Sequence, residues 1–288
     1  MKKLFLLCLI CLMTMSAMAQ RAAVMEFKAG EGISQSDAKG LTSVFTTYFR
    51  PAHFSIVERV KVDSVLSELQ IKGGLITDAQ VIDVAKKLDL SIVVVGELNL
   101  ILGENNLDLR VINVANGKTL VSKGVTYTTS SYREMLQQVA TAISNELMVS
   151  LCAEQAEYVD LGLPSGTLWK SKNEDIQYYT FDEAVSQFGD NLPTAAQCSE
   201  LITYCTWEWY GKGYIVKGGN GNFILLPAAG DRSCDGGVGS DGSDGYYCSS
   251  TPSGSERACC LYFHSGYVGM RSDYRCEGRS VRLVENLQ

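Results

Sequence analysis

Histidine is nearly absent from this chain of 288 residues; only His53 and His264 occur. Beyond Cys8 and Cys11 at the amino terminus no Cys-x-x-Cys pair occurs either, which argues against a zinc site. Basic runs and patches are missing, so nucleic acid and anionic membrane are poor partner choices. No apolar run beyond the amino terminus is long enough for a transmembrane helix. Proline is scarce in the first half: Pro51 is the one proline between positions 20 and 152. Little there interrupts regular helix and strand.

The amino terminus holds what the rest lacks. Lys2 and Lys3 precede an apolar run over 4–15, broken only by Thr14. Ala17-Met18-Ala19 is a small-x-small site, so residues 1–19 read as a signal peptide cut between Ala19 and Gln20. The run is shorter than the roughly 20 residues that span a bilayer. Ile10 stands before Cys11, where a lipoprotein signal wants a small residue, so no lipid anchor is expected. The mature chain is expected to be exported and soluble, in the periplasm or at the cell surface.

Composition divides the remainder. Residues 20–152 carry 13 basic and 14 acidic side chains with 9 glycines, whereas 153–288 carry 10 basic and 18 acidic with 18 glycines. The doubled glycine and the acidic excess mark a change of architecture. Two domains are therefore expected, at 20–152 and 158–288, with 153–157 as linker. Eight cysteines remain after cleavage: Cys152, and then Cys198, Cys205, Cys234, Cys248, Cys259, Cys260 and Cys276. Export permits disulfides among the last seven, although spacing does not fix their pairing. The alternative is that several simply fill core positions.

The first region reads as α+β. Residues 22–27 form an apolar strand. Ala38, Leu41, Phe45, Tyr48 and Phe49 recur at helical spacing after Ser34. A strand over 54–59 and a helix through Val62, Val65, Leu66 and Leu69 follow. Thr77 with Gln80 is a capping box. The β-branched run at 92–95 suits a buried central strand. Leu107, Leu109 and Val111 alternate with Asp108 and Arg110, as in a half-buried strand. Asn116-Gly117 signals a hairpin. Ser131 with Glu134 is a second capping box, opening a helix with Met135, Val139, Ile143 and Leu147 on one face. The order is β-α-β-α-α-β-β-β-α, a sheet packed by helices.

Four segments carry a resemblance: Ala22-Ala23-Val24-Met25-Glu26-Phe27, Ile56-Val57-Glu58-Arg59, Val65-Leu66-Ser67-Glu68 and Val94-Val95-Gly96-Glu97. In these the first region resembles the CsgG family of curli assembly and transport components, with its LpoB-like periplasmic relatives. The resemblance implies an envelope domain that works by contact. The chain lacks a lipobox, and only turns occur around Asn105 and Asn116, so a self-inserting pore is not expected. Glu58 and Arg59 read as a solvated cap ending a strand.

The second region opens with Tyr158-Val159-Asp160-Leu161-Gly162-Leu163-Pro164-Ser165-Gly166-Thr167-Leu168-Trp169. Leu192-Pro193-Thr194 precedes a helix capped by Thr194 and Gln197. The segments 205–209, 220–230, 245–251 and 280–284 follow in order. In these it resembles the FISUMP domain, which implies a C-type-lectin-like fold of short strands and two helices. The family's tryptophan is replaced by Cys248.

A lectin-like frame binds through loops. Trp207, Trp209 and Tyr210 are the candidate contact residues, since aromatic faces stack on sugars or anchor proteins; the alternative places Trp207 in the core. Asp241 and Asp244 lie in a Gly-Ser-Asp loop of the kind calcium favours, but without the EF-hand spacing. Trp169 is expected in the core. Cys259 and Cys260, adjacent on a strand, should face opposite ways, which suits neither a redox pair nor a nucleophile with a positioned base.

The expectation is a non-catalytic exported envelope protein without cofactor or metal. Its first domain would dock on an envelope assembly. Its second would bind an envelope protein or a glycan, with oligomerisation open. The competing readings are a glycan- or surface-binding adhesin, and a thiol-using enzyme of the formylglycine-generating-like fold.

Overall fold

The structure, a computed structural model, describes residues 20–52, 54–71, 76–153, 155–174 and 178–286. The leader with Ala19, and His53, lie outside the described residues.

The first region builds one mixed sheet. Its elements are β1 (Gln20–Val24), β2 (Lys28–Ala29), α1 (Gln35–Tyr48), β3 (Phe54–Ile56), α2 (Arg59–Glu68) and α3 (Asp78–Lys87), then β4 (Ile92–Ile101), β5 (Glu104–Asn113), β6 (Thr119–Tyr127) and α4 (Tyr132–Ala153). The sheet order is β3-β1-β4-β5-β6, with β2 beside β4. β1 runs parallel to both β3 and β4, and the β4–β5–β6 meander is antiparallel. Alternation along β1 and β4 sorts the core to two faces. Ala22, Val24, Ile92 and Val94 pack under α1 and α4. Ala23, Met25 and Val93 pack under α2 and α3. Phe45 anchors the first layer, edge-on to Phe27 at 5.5 Å and stacked on Phe49 at 5.6 Å.

Caps set the helix starts. The Ser34 hydroxyl accepts from the Asp37 amide at 3.1 Å, and Thr77 with Gln80 closes the expected capping box. At the start of α4 the Ser131 hydroxyl pairs with that of Thr128, 2.8 Å away. Two expectations need correction. The short strand β2 is additional to the expected order, held by the pairings Lys28↔Glu97 and Ala29↔Leu98. The third strand ends at Ile56, and Arg59 opens α2 behind Glu58. Arg59 is no solvated cap, for it bridges Glu26 at 3.1 Å and Asp63 at 2.8 Å.

The second region comprises β7 (Tyr158–Asp160), β8 (Thr167–Lys170), α5 (Phe181–Phe188), α6 (Ala195–Tyr204), β9 (Thr206–Trp209), β10 (Gly213–Lys217), β11 (Phe223–Pro227), β12 (Ala229–Arg232), β13 (Val238–Asp241), β14 (Asp244–Pro252), β15 (Arg257–His264), β16 (Tyr267–Tyr274) and β17 (Val284–Asn286). These strands form three sheets, in orders β11-β10-β9, β13-β12-β14-β15-β16 and β17-β8-β7. One core joins them around the buried Trp169, Ile224, Leu226, Tyr247 and Phe263. The chain class is α+β.

The two regions share an apolar contact. Ala52, Met148 and Cys152 meet Ile215, Phe223 and Leu225. Gln155 donates across it to the Phe223 carbonyl at 2.8 Å. No helix among the described residues is long and apolar enough to cross a membrane.

Candidate functional site

The pairing of β14, β15 and β16 collects aromatic and charged side chains on one face of the five-stranded sheet. Asp244 lies opposite His264, Tyr246 opposite Tyr262 and Cys248 opposite Cys260. On the far side of β15, His264 lies opposite Tyr267, Tyr262 opposite Gly269 and Cys260 opposite Arg271. The intervening residues Tyr247, Leu261 and Phe263 point into the core. This is the two-residue alternation of a strand, with the second face partly open around Tyr262, His264 and Tyr267 and buried at Cys248 and Cys260.

The rings on the open face touch in a row. Tyr246 and Tyr262 lie 4.8 Å apart between centroids, and Tyr267 lies 5.9 Å from both Tyr262 and His264. Tyr267 is 47% exposed, so the row ends in solvent. Gly269 makes room for it: a Cβ there would meet the Tyr267 hydroxyl at 2.4 Å. Arg271 lies over Tyr262 at 4.5 Å and Arg279 over Tyr246 at 5.3 Å, both within cation–π range.

Carboxylates complete the platform. Asp273 joins the two cations, 3.5 Å from Arg271 and 3.1 Å from Arg279. Glu277 also pairs with Arg279. Arg279 is 5% exposed, and its Nη1 has no hydrogen-bond partner. Tyr262 donates to Asp244 Oδ1 at 2.8 Å. Burial pushes the Tyr262 phenol up to about 12, with Asp244 adding to the rise. Burial also raises the carboxyls of Asp231 and Glu277 above their ordinary range. The negative charge of Asp273 reinforces this in both, and Arg279 works against it. The face therefore offers touching, tilted tyrosine rings, a positive edge at Arg271, and carboxyls held above their ordinary range. Among the described residues no group of three or more His, Cys, Asp or Glu side chains is placed to hold a metal ion.

The expected contact residues fall elsewhere, apart from Asp244. Trp207 and Trp209 lie two apart on β9 and turn inward together. Trp207 donates to the Leu201 carbonyl at 3.1 Å, and both indoles meet Tyr214 edge-on. They pack on the core, on the face of the sheet opposite the platform. Tyr210 packs in the contact between the two regions. Asp241 is exposed on β13. Trp169 is buried, with its Nε1 unpaired. Tyr262, Tyr267, Arg271 and Arg279 were not singled out from sequence. The alternation of Tyr262 and His264 with Leu261 and Phe263 was the available signal.

Among the seven cysteines expected to permit disulfides, one pair forms. Cys234 and Cys276 are bonded, with Cα atoms 5.1 Å apart. Cys198, Cys205, Cys248, Cys259 and Cys260 are free thiols, in line with the reading that several fill core positions. Their positions explain it: Cys198 and Cys205 sit against the core along and just past α6, and Cys248 packs in a separate apolar cluster. Burial pushes the thiols of Cys248 and Cys260 up to about 12 and that of Cys205 up to about 11. Such thiols stay protonated at neutral pH and are poor nucleophiles. Cys259 and Cys260 face opposite ways, as adjacent strand residues should.

No protein-family model matches the chain, and no curated protein matches it. Solved structures do. The LpoB C-terminal domain from Salmonella enterica is similar at 12% identity over 38% of this chain and 84% of that one, with a TM-score of 0.32. The lipoprotein GNA1162 from Neisseria meningitidis is 13% identical over 46% of this chain and 98% of that one, with a TM-score of 0.32. TolB from Acinetobacter baumannii is 10% identical over 89% of this chain and 47% of that one, with a TM-score of 0.31.

Proposed function

We propose that this is a non-catalytic protein of the cell envelope, with a CsgG/LpoB-like docking region followed by a C-type-lectin-like binding region. The observation that carries the reading is the platform of Tyr246, Tyr262, Tyr267 and Arg271, an open aromatic face on a rigid sheet. Adjoining rings edged by a guanidinium suit a partner that offers a flat apolar face and an acceptor. A sugar ring of an envelope glycan has both, and so does an aromatic side chain beside a carboxylate. The buried, protonated thiols support binding over thiol chemistry.

The test uses the mature chain. Crosslinking in cells and a broad glycan array should each be run with wild type, Tyr267→Ala and Arg271→Ala. A defined partner or glycan should bind the wild type, and each variant should weaken it about five- to tenfold with the fold intact. Wild-type binding to nothing above background, or binding that both variants keep in full, would sink the reading. Retention on the array assigns a glycan, the adhesin form of the same reading.

A further inference from the structure

A second polar site lies in the first region, away from the platform and independent of its reading. A pocket of about 340 Å³ opens between α1 and the start of α2. One face of α1 supplies Lys39, Ser43 and Thr47, spaced four residues apart, and Arg50 follows just past the helix end. This spacing stacks side chains along one side of a helix. Glu26 and Arg59 form the opposite wall. The lining thus sets three cations and the Ser43 hydroxyl against one carboxylate, while the Thr42, Thr46 and Thr47 hydroxyls donate to carbonyls of α1.

That carboxylate is already engaged. Glu26 accepts from Arg59 Nη2 at 3.1 Å and from Gln35 at 2.6 Å. Asp63 holds Arg59 Nε at 2.8 Å. Two of the three guanidinium nitrogens are therefore fixed, which fixes the direction of the third. Arg59 Nη1 is buried and has no hydrogen-bond partner. A buried donor without an acceptor is costly unless something fills the gap. Arg50 spends Nη1 on the Thr46 and Phe49 carbonyls at 2.6 and 2.8 Å, which anchors it at the end of α1. Its charge stays in the pocket lining, on the same side as the exposed Lys39.

We infer that this pocket binds a phosphate-class oxyanion, free or as an ester. A tetrahedral group presents oxygens in several directions at once. Lys39 and Arg50 line the pocket from α1 and its end, Arg59 from the start of α2, and Ser43 supplies a hydroxyl. Charge-assisted donors on a fixed frame are the strong form of this contact.

Isothermal titration of the full mature chain tests it in three arms: inorganic phosphate, glycerol 3-phosphate, and phosphatidylglycerol vesicles in excess phosphatidylcholine. Saturable binding is expected in at least one arm. Lys39→Gln alters only an exposed side chain and should weaken it about fivefold. Arg59→Lys keeps the charge but loses the fork, and should weaken it at least as much. Binding of the soluble probes alone assigns a free anion or small ester, and binding of vesicles alone assigns a lipid headgroup. No saturable binding in any arm, or equal binding by wild type and both variants, overturns the inference.

Discussion

In the first region a six-stranded sheet carries helices on both faces, and a core residue can be assigned to its face by counting along its own element. In the second region eleven strands are divided among three sheets, and distant segments close the core. Val284 pairs with Trp169, and Arg282 donates to Asn173 at 2.8 Å, the Lys170 carbonyl at 2.8 Å and the Leu225 carbonyl at 2.6 Å. Local periodicity builds one half, and long-range polar and covalent ties hold the other. All three tryptophans, Trp169, Trp207 and Trp209, fall in the second half. Tryptophan fluorescence therefore follows that half, while the helical circular dichroism signal is weighted toward the first.

The largest expected break between the halves is covalent. The bond between Cys234 and Cys276 spans a sequence separation of 42 residues. Chain entropy assigns a loop of that size up to about 4 kcal/mol. The paired substitution Cys234→Ser with Cys276→Ser should lower the unfolding free energy, from urea titration read by fluorescence, by that order. Reductant should reproduce the loss in wild type and do nothing further to the variant. A midpoint unchanged by either treatment would show that noncovalent packing alone holds this half.

Arg282 is the next largest. It is 2% exposed, and burial pushes its pKa below the ordinary guanidinium value. Arg282→Met keeps much of the volume but removes the donor to one buried and two part-buried acceptors, at a cost of about 3 kcal/mol. Fluorescence-detected urea unfolding checks it. A loss below about 1 kcal/mol would mean those acceptors find water, and the tie would be dispensable.

These ties explain what was legible in the sequence. Ala38, Leu41 and Phe45, or Leu107, Leu109 and Val111, declare their faces by spacing, and the structure buries them. The extra strand β2 was missed because two residues carry no period. In the second region the turn and cap signals at Thr194 and Gln197 were readable because a capping box is local. Trp207 packs against the core, as one of its two readings had it, and Trp209 joins it there, since aromatic type says nothing of direction until the register of β9 on β10 is known. Arg282 and the Tyr246–Tyr262 pairing depend on residues far apart in the chain, which composition and spacing do not bring together.

A matched pair of substitutions applies one chemistry to both halves. Thr77 caps α3 and Thr194 caps α6, each in a complete capping box. Thr77→Ala and Thr194→Ala should each cost about 1 kcal/mol. If the contact of Met148 and Cys152 with Ile215 and Phe223 couples the halves, both variants shift dichroism and fluorescence alike. Separate shifts, each confined to its own probe, would show that this contact is too weak to make one cooperative unit.

The smallest effect has a sign that depends on pH. Burial holds the Asp231 carboxyl above its ordinary value, with Asp273 and Asp244 adding and Arg279 opposing. A carboxyl raised on folding contributes stability below its unfolded value, about 3.9, and loses it as pH rises through the folded value. At neutral pH the ionised Asp231 is therefore a burden on the second half. Asp231→Asn should raise the midpoint of thermal unfolding by about 1 °C at pH 7, given its partial exposure. The gain should shrink as pH falls and vanish below about pH 3, where wild-type Asp231 is protonated in both states. The first region has the opposite case in Asp78, whose carboxyl is lowered by its hydrogen bond to Arg110. Asp78→Asn should lose stability at pH 7 and approach wild type in acid. Parallel melts of the two variants across this range would sink the contrast if both moved in the same direction.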